Sequence, residues 1–300
     1  MMKNRILCIG EILWDLLPTG AKAGGAPMNV ALHLLKLGFE VRFAGSIGND
    51  PFGDGLRQFL KLHGLDTNLL QSDDKLPTST VVVHLGPDNQ VSFEIVDNVA
   101  WDRIEFTDDL LDISGKSDVV IYGTLAARHE FSRNTILSVL KNTSGIKLID
   151  VNLRAPYNKK EIVEPLLEKA DIAKLNDEEL RYIGKWYDKY GEEKELTKWL
   201  SDRFKCDMIC ITRGAKGALV YNKGDFYEHP GFKVKVEDTV GSGDAFLAGF
   251  LAYYLAGKDL YSSLEFACAT GALVATKAGA TPEYRTDEIN EIIKTFVHIS

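Results

Sequence analysis

Asp238-Thr239-Val240-Gly241-Ser242-Gly243-Asp244-Ala245-Phe246-Leu247-Ala248-Gly249 is a small Gly-Ser-Gly turn running straight into an apolar helix. Such a turn aims several backbone N–H groups and the positive end of the helix dipole at one spot, which makes an anion site. Asp244 stands at that same helix end, where its charge is favoured, yet a carboxylate beside an anion site would repel a bound phosphate. An Asp-capped helix after a glycine turn is a common local structure, but a cap alone does not need both glycines. The pairing points to a base next to a transferring phosphoryl group. No third glycine follows Gly241-x-Gly243 at the spacing of a dinucleotide fingerprint, and no Gly-x-x-x-x-Gly-Lys-Ser/Thr loop occurs in the chain.

A second glycine stretch lies near the other end, Ala23-Gly24-Gly25-Ala26-Pro27-Met28-Asn29-Val30-Ala31. Its glycines let backbone approach a ligand closely, Pro27 suits the first turn of a helix, and Asn29 offers both a donor and an acceptor. A plain loop opening a helix explains the same residues.

Throughout the chain, short apolar runs alternate with amphipathic ones. Ile6–Ile9, Val41–Ala44, Val119–Tyr122, Lys147–Asp150 and Met208–Thr212 read as buried strands; Ala26–Leu37, Phe52–His63, Phe131–Lys141 and Asp177–Ile183 carry helical spacing. That alternation predicts a largely parallel sheet covered on both faces. Ile12–Leu17 and the pair Thr80–Leu85 and Val91–Val96, flanking a Gly86-Pro87-Asp88-Asn89 turn, break the pattern and predict a small β-sheet standing off the body as a lid. A hairpin of Ala218–Tyr221 and Asp225–Glu228 precedes the helices Gly243–Leu255, Leu260–Thr276 and Asp287–Val297. No linker or repeat divides the chain, so residues 1–300 read as one domain, with lid strands inserted at about 12–17 and 79–97.

The composition, 45% hydrophobic and 26% charged, excludes wholesale disorder, and the net charge of −8 argues against nucleic acid or an anionic membrane as partner. Cys206 and Cys210 are separated by three residues with no second Cys or His pair nearby, which disfavours a zinc site. Together with Cys8 and Cys268 they read as buried small apolar residues in a reducing compartment. The apolar run Ile6–Ile9 is too short for a signal peptide core, and the uncharged stretch Ala245–Gly257 is too short to span a bilayer. These features predict a cytoplasmic protein.

The two glycine stretches together resemble the signature motifs of the ribokinase-like (PfkB) carbohydrate kinases. Gly24-Gly25 leads through Asn29 and Ala31 to Gly38 and Gly48 at the family's spacing, and the whole run Asp238 to Gly249 fits the second motif. The resemblance implies an α/β fold: three α/β/α layers around a mostly parallel central sheet, with a small β-sheet lid. It implies that Asp244 takes the proton from a sugar's terminal hydroxymethyl group, with the N–H groups of Gly241, Ser242 and Gly243 as the anion hole. Asp15, Gly24, Gly25 and Asn29 would line the sugar pocket, and Arg154 would reach a sugar hydroxyl or an ATP phosphate.

Asn176-Asp177-Glu178-Glu179 is similar to the family's Asn-x-x-Glu motif. There Asn176 would sit at the nucleotide and Glu179 would help hold Mg²⁺ through water. A capped helix with a solvated acidic first turn explains these residues locally almost as well. Thr212-Arg213-Gly214-Ala215-Lys216-Gly217 resembles the nucleotide loop, with Thr212 and Gly214 near the ATP phosphates and Gly217 closing the turn. Asp238, the Val240 carbonyl and Gly279 match a monovalent-cation (K⁺) site, although Glu283 stands where several relatives have a small hydroxyl residue. Lid pairing in the family implies a homodimer, with the exposed face of Thr80–Leu85 as its surface.

For the sugar, Gly10-Glu11-Ile12-Leu13-Trp14-Asp15, Val99-Ala100-Trp101-Asp102, Gly123-Thr124-Leu125-Ala126 and Asp150-Val151-Asn152-Leu153-Arg154 resemble bacterial fructokinases. The rival is 2-keto-3-deoxygluconate kinase, which shares an Asp-x-Asn-x-Arg segment. Its Tyr-x-Arg segment is missing here, and Asp102 facing the pocket would repel a carboxylate. A neutral ketose, fructose, is therefore expected. A reading from another class, a non-catalytic sugar-binding member, is disfavoured because Asp244, the Gly-Ser-Gly turn, Asn176 and Glu179 are all retained.

Overall fold

In the computed structural model of the chain, residues 4–17, 20–85 and 91–297 are described. The elements begin with β1 (Arg5–Ile9), β2 (Leu13–Leu17), β3 (Gly20–Gly24), α1 (Ala26–Lys36), β4 (Glu40–Gly48), α2 (Pro51–Leu62) and β5 (Leu70–Asp73). They continue with β6 (Ser79–Leu85), β7 (Val91–Ile95), α3 (Asp108–Lys116), β8 (Val119–Gly123), α4 (Glu130–Asn142), β9 (Ile146–Asp150), α5 (Lys160–Leu167), β10 (Ile172–Asn176), α6 (Asp177–Lys185) and α7 (Glu193–Phe204). The last are β11 (Met208–Thr212), β12 (Ala218–Asn222), β13 (Asp225–His229), α8 (Ser242–Leu255), α9 (Leu260–Ala275) and α10 (Thr286–Val297).

The large sheet has the order β13-β12-β11-β10-β9-β8-β1-β4-β5. It is parallel except at β12, which runs against both β11 and β13. Its central strands are apolar on both faces because both faces are covered. In β1, Ile6 and Cys8 point to the layer of α1, α2, α8, α9 and α10, while Leu7 and Ile9 point to the layer of α3 to α7. In β8, Val119 and Ile121 divide from Val120 and Tyr122 in the same way. All four cysteines are buried and free. No helix among the described residues is long and apolar enough to cross a membrane.

The second sheet has the order β3-β2-β6-β7, with β2 parallel to β6 and the other pairs antiparallel. Its strand β3, Gly-Ala-Lys-Ala-Gly, lies where the sequence suggests only a loop; it is held by main-chain pairing to β2 rather than by side chains of strand-forming type. Trp14 ties this sheet to α2, with Nε1 donating to the Phe52 carbonyl at 2.9 Å and its ring set edge-on to Phe59. The expected Gly86–Asn89 turn lies outside the described residues, as do the side chains of residues 82–85 and 91–94. On the strand expected to pair lids, Val81 is buried and Thr80 half-buried.

Candidate active site

The chain leaves β1 for β4 and β5 on one side, then returns to lay β8 against β1's other edge. This reversal opens a crevice beyond the carboxyl ends of the strands, the usual place for a ligand in an open α/β sheet. The loops after β1, β8, β9 and β10 all arrive there, and the amino end of α8 faces them.

Asp244 sits in the first turn of α8, buried to 8% exposure. Gly241 precedes the helix at φ +76°, and a Cβ there would overlap the Ala280 carbonyl, so only glycine fits both the conformation and the space. Asn29, in α1, donates from Nδ2 to Asp244 Oδ2 at 2.8 Å. Burial, then the negative charge of Asp150, push the Asp244 carboxyl up to about 7, against the opposing pull of Lys174, Asn29 and Arg154. A carboxylate held near neutrality can accept a proton and release it again at working pH. Asn29 Oδ1 is buried with no partner among the described residues, an acceptor left over at the same place.

Asp15 on β2 is half-buried, and its carboxyl is raised by burial and drawn back by Arg154. A Cβ on Gly24 would lie 2.5 Å from Asp15 Oδ2, so the glycine makes room for this carboxylate. Gly25 turns at φ +120° where a side chain would strike the Glu11 carbonyl, which lets α1 begin and aim Asn29 inward. Arg154 is exposed and donates only to the Leu153 carbonyl among the described residues. Its charge is felt at Glu11, Asp15 and Asp244, so it faces the crevice rather than an ion pair. The sugar candidates Asp15, Gly24, Gly25, Asn29 and Arg154 thus converge with Asp244.

The nucleotide candidates form a neighbouring group. Asn176 and Thr212 are register partners at the ends of β10 and β11, and a tight turn at Gly214–Lys216 leads to Gly217. Asn176 and Glu179 form a capping box: Asn176 Oδ1 accepts from the Glu179 N–H at 2.7 Å and Glu179 Oε2 from the Asn176 N–H at 2.9 Å. Glu179 Oε1 also accepts from the Leu153 N–H at 2.7 Å. With both its oxygens engaged, Glu179 suits Mg²⁺ held through water rather than by direct ligation.

Asp238, Val240 and Gly279 come together: the Asp238 carboxylate accepts from the Val240 and Gly279 N–H groups, each at 3.0 Å. The carbonyls of Val240 and Gly279 take no part in that contact. The loop that follows carries a cation of its own. Lys36 Nζ donates to the carbonyls of Thr281 and Pro282 at 2.8 Å and lies 3.1 Å from the Glu283 carboxylate. His33 bridges the Ala280 carbonyl and the Tyr284 hydroxyl.

Asp102 departs from expectation. It is not a bare charge that would repel a carboxylate, because Arg128 binds both its oxygens at 2.7 Å while stacking on the buried Trp101. Three residues at the site have no role in the motif reading. Glu11 is buried with Oε2 unpartnered among the described residues, and Lys174 on β10 pairs with Asp150 on β9. The signal for Lys174 is a lone lysine inside an apolar strand, Ile172-Ala173-Lys174-Leu175, since a buried lysine requires a partner.

A doubly covered parallel sheet, a lid, and a carboxylate at a glycine-turned helix end define a phosphoryl-transfer architecture. The profile described as "pfkB family carbohydrate kinase" matches residues 6–287, and the chain belongs to that family. It is an ATP-dependent carbohydrate kinase. It is 32% identical to PH1459 of Pyrococcus horikoshii, an uncharacterized sugar kinase, over 95% of this chain and 94% of that one. The fructokinase of Xylella fastidiosa with bound ATP superposes with a TM-score of 0.88 at 26% identity, covering 99% and 100% of the two chains. The Vibrio cholerae fructokinase with fructose, ADP and calcium gives 0.81 at 26%, covering 96% and 98%; a double mutant of it holds potassium.

Proposed function

We propose that the protein transfers the γ-phosphoryl group of ATP to the terminal hydroxyl of fructose, giving fructose 6-phosphate. The observation that carries this reading is Asp244, buried at the amino end of α8, hydrogen-bonded to Asn29 and poised near neutrality. Asp244 takes the hydroxyl proton as the oxygen attacks phosphorus, and the N–H groups of Gly241, Ser242 and Gly243 meet the charge on the transferring group. Asp15, Asn29 and Arg154 hold the sugar hydroxyls beside the backbone of Gly24 and Gly25. Asn176, Thr212, Gly214 and Gly217 hold the nucleotide. Glu179 would hold Mg²⁺ through water, where the ion would neutralise phosphate charge, and Asp238, Val240 and Gly279 would hold a K⁺ ion. Fructose is supported by the two fructokinase relatives and by the missing Tyr-x-Arg segment. A homodimer through the lids and a cytoplasmic setting belong to the same proposal, and sedimentation reads the former.

The test is ADP release with Mg·ATP across fructose, 2-keto-3-deoxygluconate, ribose, tagatose and adenosine, each with and without potassium. Efficient turnover of fructose alone is expected. Preference for the keto acid would keep the kinase chemistry and overturn the sugar assignment.

A further inference from the structure

Lys174 and Asp150 are register partners on adjacent parallel strands, and both are buried. Lys174 Nζ donates to the two Asp150 oxygens at 2.9 and 3.1 Å. The same ammonium lies against the turn that opens α8: a Cβ on Gly243 would be 3.3 Å from Nζ. A charge pair is thus built into the sheet directly beneath the backbone of Gly243, one residue before Asp244.

We infer that the Lys174–Asp150 pair is a positioning device that supports the Gly241–Gly243 turn from below and sets the charge of Asp244. The inference rests on the reading of Asp244 as the base. Each partner has a separate task. The ammonium favours ionised Asp244 and fills the space beneath Gly243. Asp150 holds the ammonium on the sheet, which keeps it from closing onto Asp244 as a salt bridge that would leave the base too weak. Without Lys174, Asp150 and Asp244 would be two buried carboxylates competing for one proton. The other groups facing this cluster are Arg154 from the loop after β9, Asn29 from α1, Glu179 from α6, which faces Lys174, and Glu11 from the loop after β1, which faces Asp150. Among the described residues only Asp150 is hydrogen-bonded to the Lys174 ammonium, so the pair is the local control.

The two charges predict opposite effects. Lys174→Met removes a cation and moves the Asp244 midpoint up; Asp150→Asn frees the cation and moves it down, each by about one pH unit or more. The double variant, with no net charge change, returns the midpoint to within about half a unit of the parent. Two readouts are needed: the ¹³C carboxyl shift of Asp244 titrated in the ligand-free protein, and the acid limb of kcat/KM for the sugar. A merely structural pair would lower activity in both single variants without moving either midpoint in opposite directions, and that result overturns the inference. Opposite shifts by carbon resonance with an unmoved acid limb would keep the charge coupling and remove Asp244 from the base role. If Lys174→Met does not fold, Asp150→Asn against the double variant still decides the sign, and a midpoint that stays put in Asp150→Asn sinks the idea.

Discussion

Asp244 is kept at a cost in stability. Its folded midpoint of about 7 lies above the ordinary value of 3.8, so the folded protein holds this proton more tightly than the unfolded chain. For a raised carboxyl, the stabilising contribution is complete below the unfolded value and is lost as pH rises through the folded one. Above pH 7 the ionised group therefore costs the fold on the order of 4 kcal/mol. Asp244→Asn keeps an amide in the carboxylate's place and removes the charge. The variant is expected to melt above the parent at pH 8 and level with it at pH 4. Its turnover should fall by about 10²–10⁴-fold while fructose binding by calorimetry stays nearly intact. A variant no more stable at pH 8 would contradict the buried-charge account, and unimpaired turnover would remove Asp244 from catalysis.

At the scale of elements, α1 holds the site from two directions. Its first turn aims Asn29 at Asp244, and its last turn sends Lys36 into the Thr281–Glu283 loop. That loop backs the Gly241–Gly243 turn proposed as the anion hole, since Ala280 packs where any Gly241 side chain would go. Lys36→Met would leave two loop carbonyls without their donor, at a cost of about 1–3 kcal/mol. The expected result is a lower urea midpoint together with a drop in kcat of about tenfold that exceeds any rise in KM, as a displaced wall misplaces the turn. A lowered midpoint with unchanged kcat would detach the loop from the reaction. Lys36 also illustrates what sequence can and cannot disclose. Gly241 to Asp244 is legible because glycine spacing and an acidic helix start are local. Lys36 meets the Thr281 carbonyl across 245 positions of chain, and nothing near it in sequence marks the contact. Strand β10 is hidden for a related reason: Lys174 interrupts its apolar run, and only Asp150 on the neighbouring strand makes the lysine tolerable there.

At the scale of the molecule, the two sheets differ in how firmly they are held. The strands β1, β8 and β9 lie between two helical layers, and their apolar runs make them readable from sequence. In the smaller sheet, β2 is half-buried over most of its length and β3 exposes Gly20, Ala21 and Lys22. With so little apolar burial, main-chain pairing must hold β3, which is why composition does not reveal it and why it should open at low free energy. Yet β2 carries Asp15 and β3 ends at Gly24, so a sugar bound there would bridge lid and body. Closing the lid on the sugar would exclude water from the phosphoryl group and limit futile hydrolysis. Amide hydrogen exchange tests this directly. Fructose with a non-hydrolysable ATP analogue is expected to slow exchange in residues 20–24 by about tenfold relative to the analogue alone, since ligand contacts made only in the closed state stabilise it by mass action. Exchange in β8 and β9, which open only with the whole fold, should slow by no more than the same factor, because the ligand stabilises the native state against global unfolding too. Asp15→Ala should abolish the protection in β3 at the same fructose concentration. Protection that survives the substitution would mean that the lid closes through contacts other than Asp15, and an unprotected lid in the parent protein would take Asp15 out of the sugar site.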